Sequence, residues 1–294
     1  MMSAPVDLHI HSNKSSDGSF SPSQIVAFAY ENRMQAISIT DHDTLAAYPE
    51  ALQCEHANDV EVIPSVELTT RLDDREFHIL LPFIEWESED MQNLIRQVAG
   101  RRIQEAKHRV EKLRSLGMDI TWEDVLHEAG FFPPLGVTIA MAFLKKAKDK
   151  GNPVHLKYYE TKRSGFNPYR FYKDHFEEGK PAFVPRRNLN VVDVLKKAKQ
   201  AGSVPILAHP GAAFMHVDRN DVILLKNAGL EGMEVFTSYH DENQTEFYGN
   251  IAAEFDLVKT AGSDFHGSIK PHIPFGYLQA GDYKIVEELK KRRP

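Results

Sequence analysis

The sequence predicts an α/β barrel that is interrupted by a helical insertion. Short β-like runs alternate with helical stretches through the first 85 residues, and the same alternation returns late in the chain. Strands that alternate with helices of about 10–15 residues indicate βαβ units and a parallel sheet, which closes most simply into a barrel. Between the two regions the alternation stops, and residues 93–181 are predicted to be mainly helical.

The predicted elements follow one another in a regular order. Early strands are expected over residues 6–11, 36–40, 60–68 and 77–81, and early helices over 22–33 and 43–54. Ser21 is placed to cap the first helix, and Pro22 suits its first turn, where an N–H group would have no helical partner. The late region repeats a helix followed by a strand, over 191–201 and 204–208, 218–228 and 232–236, and 242–255 and 257–261.

The middle region differs from the rest in charge as well as in pattern. Its helices are expected over residues 93–115, 122–129 and 137–149. Residues 93–181 contain 17 Lys and Arg against 11 Asp and Glu, a charge of +6, whereas the remaining residues contain 18 against 31 and carry −13. The basic residues either line solvated helix faces or draw in an anionic substrate.

Composition excludes several classes of protein. A chain of 294 residues can bury a substantial core, but its single cysteine, Cys54, can form neither an internal disulfide nor a thiolate metal site. The net charge of −7 does not suggest a general nucleic-acid-binding protein. No apolar run approaches the ~18 residues that span a bilayer, and the N-terminus lacks a signal-peptide pattern. We therefore expect a cytoplasmic protein with no membrane partner.

The unusual feature of the composition is its 14 histidines. His9 and His11 are two residues apart on a predicted strand, so their side chains point to the same face. Most of the other candidate ligands lie at or just beyond the C-terminal end of a strand, which is the catalytic face of a β/α barrel. The other candidate ligands, taken together, are Asp17, His42, Glu67, His78, His209, Asp264 and His266. Nine imidazole and carboxylate ligands fit two or three ions, with Mn²⁺, Fe²⁺ or Zn²⁺ expected.

The candidate ligands fall in motifs that are spaced along nearly the whole chain. These motifs are H-x-H at 9–11, S-D-G at 16–18, T-D-H-D at 40–43, the Glu after strand three, A-H-P-G at 208–211 and G-S-D-F-H-G at 262–267. Together they resemble the PHP (polymerase and histidinol phosphatase) family. Within it, the chain is most similar to stand-alone phosphoesterases that carry a helical insertion and act on nucleotides.

The resemblance implies a fold and a site. It implies a distorted, TIM-like seven-stranded β/α barrel formed by residues 1–92 and 182–294, with the helical insertion over 93–181. It also implies a three-metal site in which Glu67 is the bridging carboxylate. The implied ligands are His9, His11, Asp17, His42, Glu67, His78, His209, Asp264 and His266.

Two stretches of the chain bear on substrate recognition. Val184-Pro185-Arg186 matches a segment that contributes a phosphate-binding arginine in relatives. The competing interpretation is that Arg186 is surface charge. Relatives often carry an Arg-x-His signature in the insertion, and the matching stretch here, residues 136–140, lacks it. The metal site is therefore better supported by the sequence than any nucleotide specificity.

The leading hypothesis is a metal-dependent phosphoesterase that hydrolyses a phosphate ester of a small metabolite or nucleotide. A metal ion lowers the pKa of bound water to about 7, so a metal-bound hydroxide is the expected nucleophile. Arg186 would neutralise the phosphoryl oxygens, and His240 is a candidate group for stabilising the leaving alkoxide. Asp41 is expected to orient a histidine ligand rather than to bind metal itself.

Four other functions remain open at this point. The enzyme could be a 5′–3′ exonuclease on short oligonucleotides, helped by the basic insertion, or a phosphomonoesterase similar to histidinol phosphatase. An amidohydrolase-type C–N hydrolase also opens with H-x-H on a barrel strand. That group typically needs a carboxylated lysine, and no lysine follows strands three or four here. A metal-stabilised structural module is the non-enzymatic alternative. The oligomeric state is not predicted by any feature of the sequence.

Overall fold

Alternating buried strands and helices build the first of two structural units in the computed structural model, which describes residues 5–130, 132–160, 165–185, 188–276 and 281–294. This barrel unit is formed by residues 1–95 and 188–294. The second, helical unit is formed by residues 96–187. Among the described residues, no helix is long and apolar enough to cross a membrane.

The early elements of the barrel unit are largely those predicted. They are β1 (Val6–Ile10), α1 (Pro22–Glu31), β2 (Ala36–Ile39), α2 (Tyr48–Ala51), β3 (Glu61–Val62), β4 (Glu67–Leu72) and β5 (Arg75–Leu80). The predicted cap is confirmed, because the Ser21 side chain accepts a hydrogen bond from the backbone N–H of Gln24, whose own side chain returns to Ser21. This reciprocal pair fixes where the chain turns from the loop after β1 into α1.

The helical unit has its own apolar core. Its elements are the greater part of α3 (Glu89–Ser115), then α4 (Trp122–Ala129), α5 (Gly136–Asp149), a 3₁₀ helix (Pro153–Tyr158), β6 (Tyr159–Glu160), β7 (Gly165–Phe166) and α6 (Pro168–His175). Phe143, Tyr158 and Phe171 are buried in one apolar cluster. The ring of Phe171 lies 5.4 Å from that of Phe143 and 5.1 Å from that of Tyr158. The three helices predicted for this region are confirmed, with α3 beginning four residues early.

The late elements return to the alternation of helix and strand. They are β8 (Leu189–Asn190), α7 (Val191–Gln200), β9 (Ile206–Leu207), α8 (Arg219–Ala228), β10 (Gly232–Thr237), α9 (Glu242–Glu254), β11 (Val258–Gly262), a 3₁₀ helix (Gly267–Ile269) and α10 (Lys284–Lys291). Helices α7, α8 and α9 end within one residue of the predicted positions. Val6, Ile206 and Leu289 belong to one buried apolar cluster, so the two ends of the chain share a core.

Two sheets of the barrel unit are joined to each other at two places. The first has the order β1-β2-β3 and the second the order β11-β10-β9-β5-β4-β8. Ile10 bridges to Phe265 just beyond β11, and His42 just beyond β2 bridges to Glu67 at the start of β4. The backbone N–H of His11 donates to the Phe265 carbonyl at 2.8 Å, which closes the first junction. The sheets therefore form one distorted β/α barrel, and the predicted fold class is confirmed.

The prediction of a parallel sheet is wrong for β5. This strand runs antiparallel to both β4 and β9. The turn between Leu72 and Arg75 is too short for the crossover that a parallel pair requires, so β4 and β5 form a hairpin. As a result, His78 within β5 lies beside Ala208, whose N–H donates to the His78 carbonyl at 3.0 Å.

Two predicted elements are shorter than expected. The strand predicted over residues 60–68 is divided into β3 and β4, with Pro64, which has no N–H for a sheet ladder, between them. The helix predicted over 43–54 is confined to Tyr48–Ala51. Asp43 has a left-handed backbone (φ 54°), and its N–H donates to the Glu67 carbonyl at 2.9 Å. The start of that segment therefore belongs to the junction between β2 and β4.

Candidate metal centre

The C-terminal ends of the parallel strands bring imidazole and carboxylate groups together in the barrel unit. His9 lies on β1 and His11 directly follows it, His78 lies within β5, and the others follow or begin neighbouring strands. Two of these residues, His209 and Asp264, have positive φ angles of 27° and 58°. Such a backbone is uncommon for residues other than glycine and is found where the surroundings enforce it. At both positions the chain turns sharply just after a strand, inside the cluster.

Glu67 lies at the middle of the cluster and is fully buried. Its Oε2 is 3.1 Å from His11 Nε2, 3.2 Å from His42 Nδ1 and 3.3 Å from His9 Nε2. Its Oε1 is 2.7 Å from His78 Nδ1 and 3.2 Å from His209 Nε2. Both carboxylate oxygens therefore face imidazole nitrogens, as a carboxylate that bridges two ions would.

Asp264 supplies the second buried carboxylate. Its Oδ1 is 3.0 Å from His11 Nε2 and 3.1 Å from His9 Nε2. Its Oδ2 accepts hydrogen bonds from Tyr239 Oη and Lys270 Nζ, both at 2.6 Å. The two oxygens thus have different surroundings, because Oδ1 faces the imidazoles while Oδ2 accepts hydrogen bonds from a phenol and an ammonium group.

Asp17 forms a third part of the cluster with His42 and His266. Its Oδ2 is 3.4 Å from His42 Nε2 and 3.3 Å from His266 Nε2. The ring of His266 stacks on that of His11 with 4.0 Å between centroids. Asp17 is the more solvent-accessible member, with 23% of its side chain exposed, so this part lies nearest the solvent.

Among the described residues, eight of the nine predicted ligands fall into three overlapping sets that could each hold a metal ion, and His209 belongs to none of them. The sets are His11-Asp17-His42-His266, His9-His11-Glu67-Asp264 and His42-Glu67-His78. Within each set the ligand atoms lie within 4.8 Å of one another. Any two sets share one residue, namely His11, His42 or Glu67. Nitrogen and oxygen donors in this arrangement suit adjacent divalent ions.

Buried polar atoms without hydrogen-bond partners support this fit. In the described part of the chain, Glu67 Oε2 and His42 Nδ1 are buried and make no hydrogen bond, although the two atoms are 3.2 Å apart. An unpaired buried polar atom costs roughly 1–3 kcal/mol, so such atoms are rare in folded proteins. Here the two lone pairs face the same space, and a bound cation would satisfy both.

The charges within the cluster are strongly coupled. Burial raises the pKa of the Glu67 carboxyl, but the charged imidazoles of His9 and His78 help to outweigh this effect and hold that pKa well below its usual value. Burial lowers the pKa of His42 to about 3, so its ring is neutral and keeps a lone pair available for a metal. The cluster therefore holds an ionised carboxylate beside a neutral imidazole, and these are the forms in which both groups bind a divalent cation.

The predictions for three residues, which were expected to act on the substrate or to orient ligands, have different outcomes. Arg186 lies outside the described residues. Both ring nitrogens of His240 are engaged by the backbone: Nδ1 donates to the Val235 carbonyl at 2.9 Å, and Nε2 accepts the Gly211 N–H at 3.0 Å. This geometry corrects the expectation that His240 stabilises a leaving group, because its ring instead fixes the loop after β9.

Asp41 orients a loop rather than a histidine ring. Its carboxylate accepts from the Ser12 N–H at 2.7 Å, the Ser12 hydroxyl at 2.5 Å and the Ser15 hydroxyl at 2.9 Å. The Ser15 hydroxyl also lies 2.7 Å from Asp17 Oδ1. Burial raises the pKa of Asp41 to about 6 despite these hydrogen bonds. The residue therefore holds the turn that presents Asp17, which differs from the predicted contact with a ligand imidazole.

Sequence reasoning missed three residues that support the cluster. Glu234 on β10 is fully buried; its Oε1 is 2.9 Å from His9 Nδ1, and its Oε2 accepts the His209 N–H at 2.7 Å. A carboxylate on the far nitrogen of an imidazole fixes the ring so that the other nitrogen faces the metal. The sequence signal that could have identified Glu234 is the presence of a charged residue within an apolar strand. Tyr239 and Lys270, which hold Asp264, gave no comparable signal because each lies in a polar loop.

Replacing Glu234 by glutamine is expected to weaken metal binding. The variant loses the charge that orients His9, and partners of this kind typically account for 10- to 100-fold in metal affinity. Titration of metal-free protein with Mn²⁺ would measure the change. Glu246→Gln, at an exposed position on α9, is the matched control and should bind as the unmodified protein does. A Glu234→Gln affinity within twofold of the control would contradict the role assigned to Glu234.

Comparisons with known proteins agree with the fold. Residues 7–129 match the family model described as PHP domain. The chain is 26% identical over 282 residues to a 5′-3′ exoribonuclease of Haemophilus influenzae, covering 95% of this chain and 94% of that protein. It is also 26% identical over 277 residues to a phosphoribosyl 1,2-cyclic phosphate 1,2-diphosphodiesterase of Eggerthella lenta, covering 92% and 97%.

A solved structure has the same fold. A crystal structure assigned to a metal-dependent phosphoesterase of Bifidobacterium adolescentis superposes with a TM-score of 0.79 at 25% identity, covering 98% of this chain and 96% of that one. The chain thus contains a PHP domain over residues 7–129, as its motifs predicted. It is a metal-dependent hydrolase that acts on phosphoric ester bonds.

Proposed function

We propose that this chain hydrolyses a phosphate ester of a small metabolite or nucleotide, with two or three Mn²⁺, Fe²⁺ or Zn²⁺ ions as cofactors, in the cytoplasm. The observation that carries the proposal is the overlap of the three donor sets, each pair of which shares a residue. Ions held by overlapping sets would be neighbours and could supply charge to one phosphoryl group together. The proposed ligands are His9, His11, Asp17, His42, Glu67, His78, His209, Asp264 and His266.

The protein's own residues set the geometry for this chemistry. When bound, divalent ions supply positive charge for the phosphoryl oxygens and activate a water molecule. Glu67 joins the sets by facing imidazoles with both oxygens. Glu234 orients His9, while Tyr239 and Lys270 hold Asp264. These groups are fixed before substrate arrives, so little reorganisation is needed as negative charge develops in the transition state.

Lys270 also places a positive charge at the edge of the cluster. Its ammonium group is 2.6 Å from Asp264 Oδ2 and 2.8 Å from Tyr239 Oη, and 30% of its side chain is exposed. A half-buried lysine in this position can contact a phosphoryl oxygen of a substrate that binds beside Asp264. We propose that Lys270 and Arg186 both contact phosphoryl oxygens of the substrate. For Arg186 the proposal rests on the sequence motif alone.

A phosphate-release screen tests the proposed function. We expect Mn²⁺-loaded protein to release phosphate from at least one ester in a panel of an aryl phosphate, nucleotides, bisphosphorylated nucleosides and histidinol phosphate. The release should cease on chelation and in the His9→Ala and Asp264→Ala variants. If protein loaded with each of the three candidate metals releases no phosphate from any of these esters, and shortens no oligonucleotide, the proposal is wrong.

A second candidate is 5′–3′ exonuclease activity on short oligonucleotides. The similarity to the Haemophilus influenzae exoribonuclease over 95% of the chain favours it. The basic region over residues 93–181 would help to attract a polyanionic strand. An oligonucleotide labelled at its 3′ end distinguishes the two candidates: a ladder of shortened labelled products indicates an exonuclease, whereas loss of the terminal phosphate alone indicates a phosphomonoesterase.

A further inference from the structure

An exposed phenylalanine lies beside the metal cluster. Phe214 follows β9 in the loop that begins with His209, and 55% of its surface is open to solvent. Its ring centroid is 5.3 Å from that of His209 and 5.6 Å from that of His78, two of the proposed ligands. It is also 6.1 Å from the ring of Tyr239, which holds Asp264. A large apolar ring is thus placed at the border of the site and left largely uncovered.

The loop that carries Phe214 is held by several hydrogen bonds. Tyr248 Oη donates to the Pro210 carbonyl at 3.1 Å or to that of Val217 at 3.0 Å, linking the two ends of the loop. The Gly211 N–H donates to His240, and the Gly211 carbonyl accepts from Gln244 at 3.0 Å. The position of the ring is therefore set by the fold before any ligand binds. Such preorganisation lowers the entropy cost of recognition.

The exposure of Phe214 is not a general property of this loop. Its neighbours Met215 and Val217 are buried, with 7% and 3% of their surfaces exposed. His216 between them has a left-handed backbone (φ 50°), which lets the chain turn and bury both side chains. The loop thus packs its other apolar residues inward and leaves the aromatic ring outside, next to the cluster.

We propose that Phe214 is a stacking platform for the base of a nucleotide substrate. The inference rests on the proposed phosphoesterase function and narrows its substrate class to esters that carry an aromatic ring near the phosphate. Every nucleobase has a π face that can stack on a phenylalanine ring, so the contact selects for a base without selecting which one. With the phosphoryl group at the proposed ligands, a base attached through a ribose would reach the adjacent ring.

Substrate pairs with and without a base test this inference. In Phe214→Leu, which keeps an apolar side chain but cannot stack, kcat/KM for AMP is expected to fall about 5- to 100-fold, mainly through KM. The kcat/KM for ribose 5-phosphate should stay within twofold, because that ester has no ring to lose. Phe214→Trp should retain the preference for AMP. Phe247→Leu, at a phenylalanine on α9 with 50% exposure, is the matched control and should leave both substrates unaffected.

A measurement without turnover separates this inference from the proposed function. In saturation-transfer NMR, adenosine should receive magnetisation from the unmodified protein, and the signal should fall in Phe214→Leu but not in Phe247→Leu. Equal losses of kcat/KM for AMP and ribose 5-phosphate in Phe214→Leu would overturn the stacking role. An unchanged kcat/KM for both esters, together with an unchanged adenosine signal, would overturn it as well. Hydrolysis of the two esters would meanwhile leave the phosphoesterase function standing.

Discussion

Glu67→Gln is expected to lower phosphate release by at least about 10³-fold. The substitution preserves the size of the side chain but replaces a carboxylate oxygen with an amide nitrogen, which cannot coordinate a cation. Both oxygens of Glu67 face imidazole nitrogens, at distances from 2.7 to 3.3 Å, and the residue belongs to two of the three donor sets. One change therefore affects two ions, whereas loss of a single electrostatic contact typically costs 10² to 10³ in rate.

The Glu67→Gln experiment needs a folding control and a charge control. Circular dichroism should show that the variant keeps its secondary structure, since the amide can still fill the same buried space. Glu254→Gln removes a carboxylate of similar size from an exposed position on α9 and should leave the rate unchanged. A Glu67→Gln rate within tenfold of the unmodified protein would contradict the central role of this carboxylate.

Gly262→Ala is expected to disrupt the site by steric overlap. A Cβ atom at this position would lie 2.0 Å from Glu234 Oε1 and 2.4 Å from His9 Cβ. Neither neighbour can move freely, because Glu234 accepts the His209 N–H and His9 belongs to β1. We expect a loss of about 1–3 kcal/mol in the free energy of unfolding of the metal-free protein, as is usual for overpacking. Displacement of His9 should also abolish tight metal binding.

Chemical denaturation of the metal-free protein measures the first effect, and metal titration measures the second. Gly249→Ala is the matched control, because a Cβ there would meet Val235 at 3.5 Å, an ordinary van der Waals distance. Gly249 lies within α9, where alanine is the better helix former, so this variant should be as stable or slightly more stable. Unaltered stability and unaltered metal affinity in Gly262→Ala would show that the contact between β11 and β1 is looser than described.

Much of the cluster could be predicted because the proposed ligands occupy regular positions in the chain. His9 and His11 are two residues apart on a strand, and in the structure their Nε2 atoms are 3.1 Å apart. The strand-end positions of His42, His209 and Asp264 follow from the same barrel geometry. His78 lies within β5, and only the hairpin with β4, which the sequence did not reveal, explains how it meets Glu67.

The remaining features depend on contacts between distant parts of the chain. Glu234 meets His9 across 225 positions, and no local pattern links them. His240 is a comparable case. Its sequence context suggested a reactive side chain, whereas in the structure both of its ring nitrogens form hydrogen bonds with backbone groups. Local periodicity therefore predicts which residues reach the end of a strand. It does not predict which neighbour each one meets there.

The metal content of the purified protein tests the central claim most directly. Protein that has been reconstituted with Mn²⁺, Fe²⁺ or Zn²⁺ and then freed of excess ions should retain two or three equivalents per chain of at least one metal by elemental analysis. Asp264→Ala should retain at least one equivalent fewer. Retention of less than one ion per chain with all three metals, or an unchanged content in Asp264→Ala, would contradict the assignment of this cluster as the metal centre.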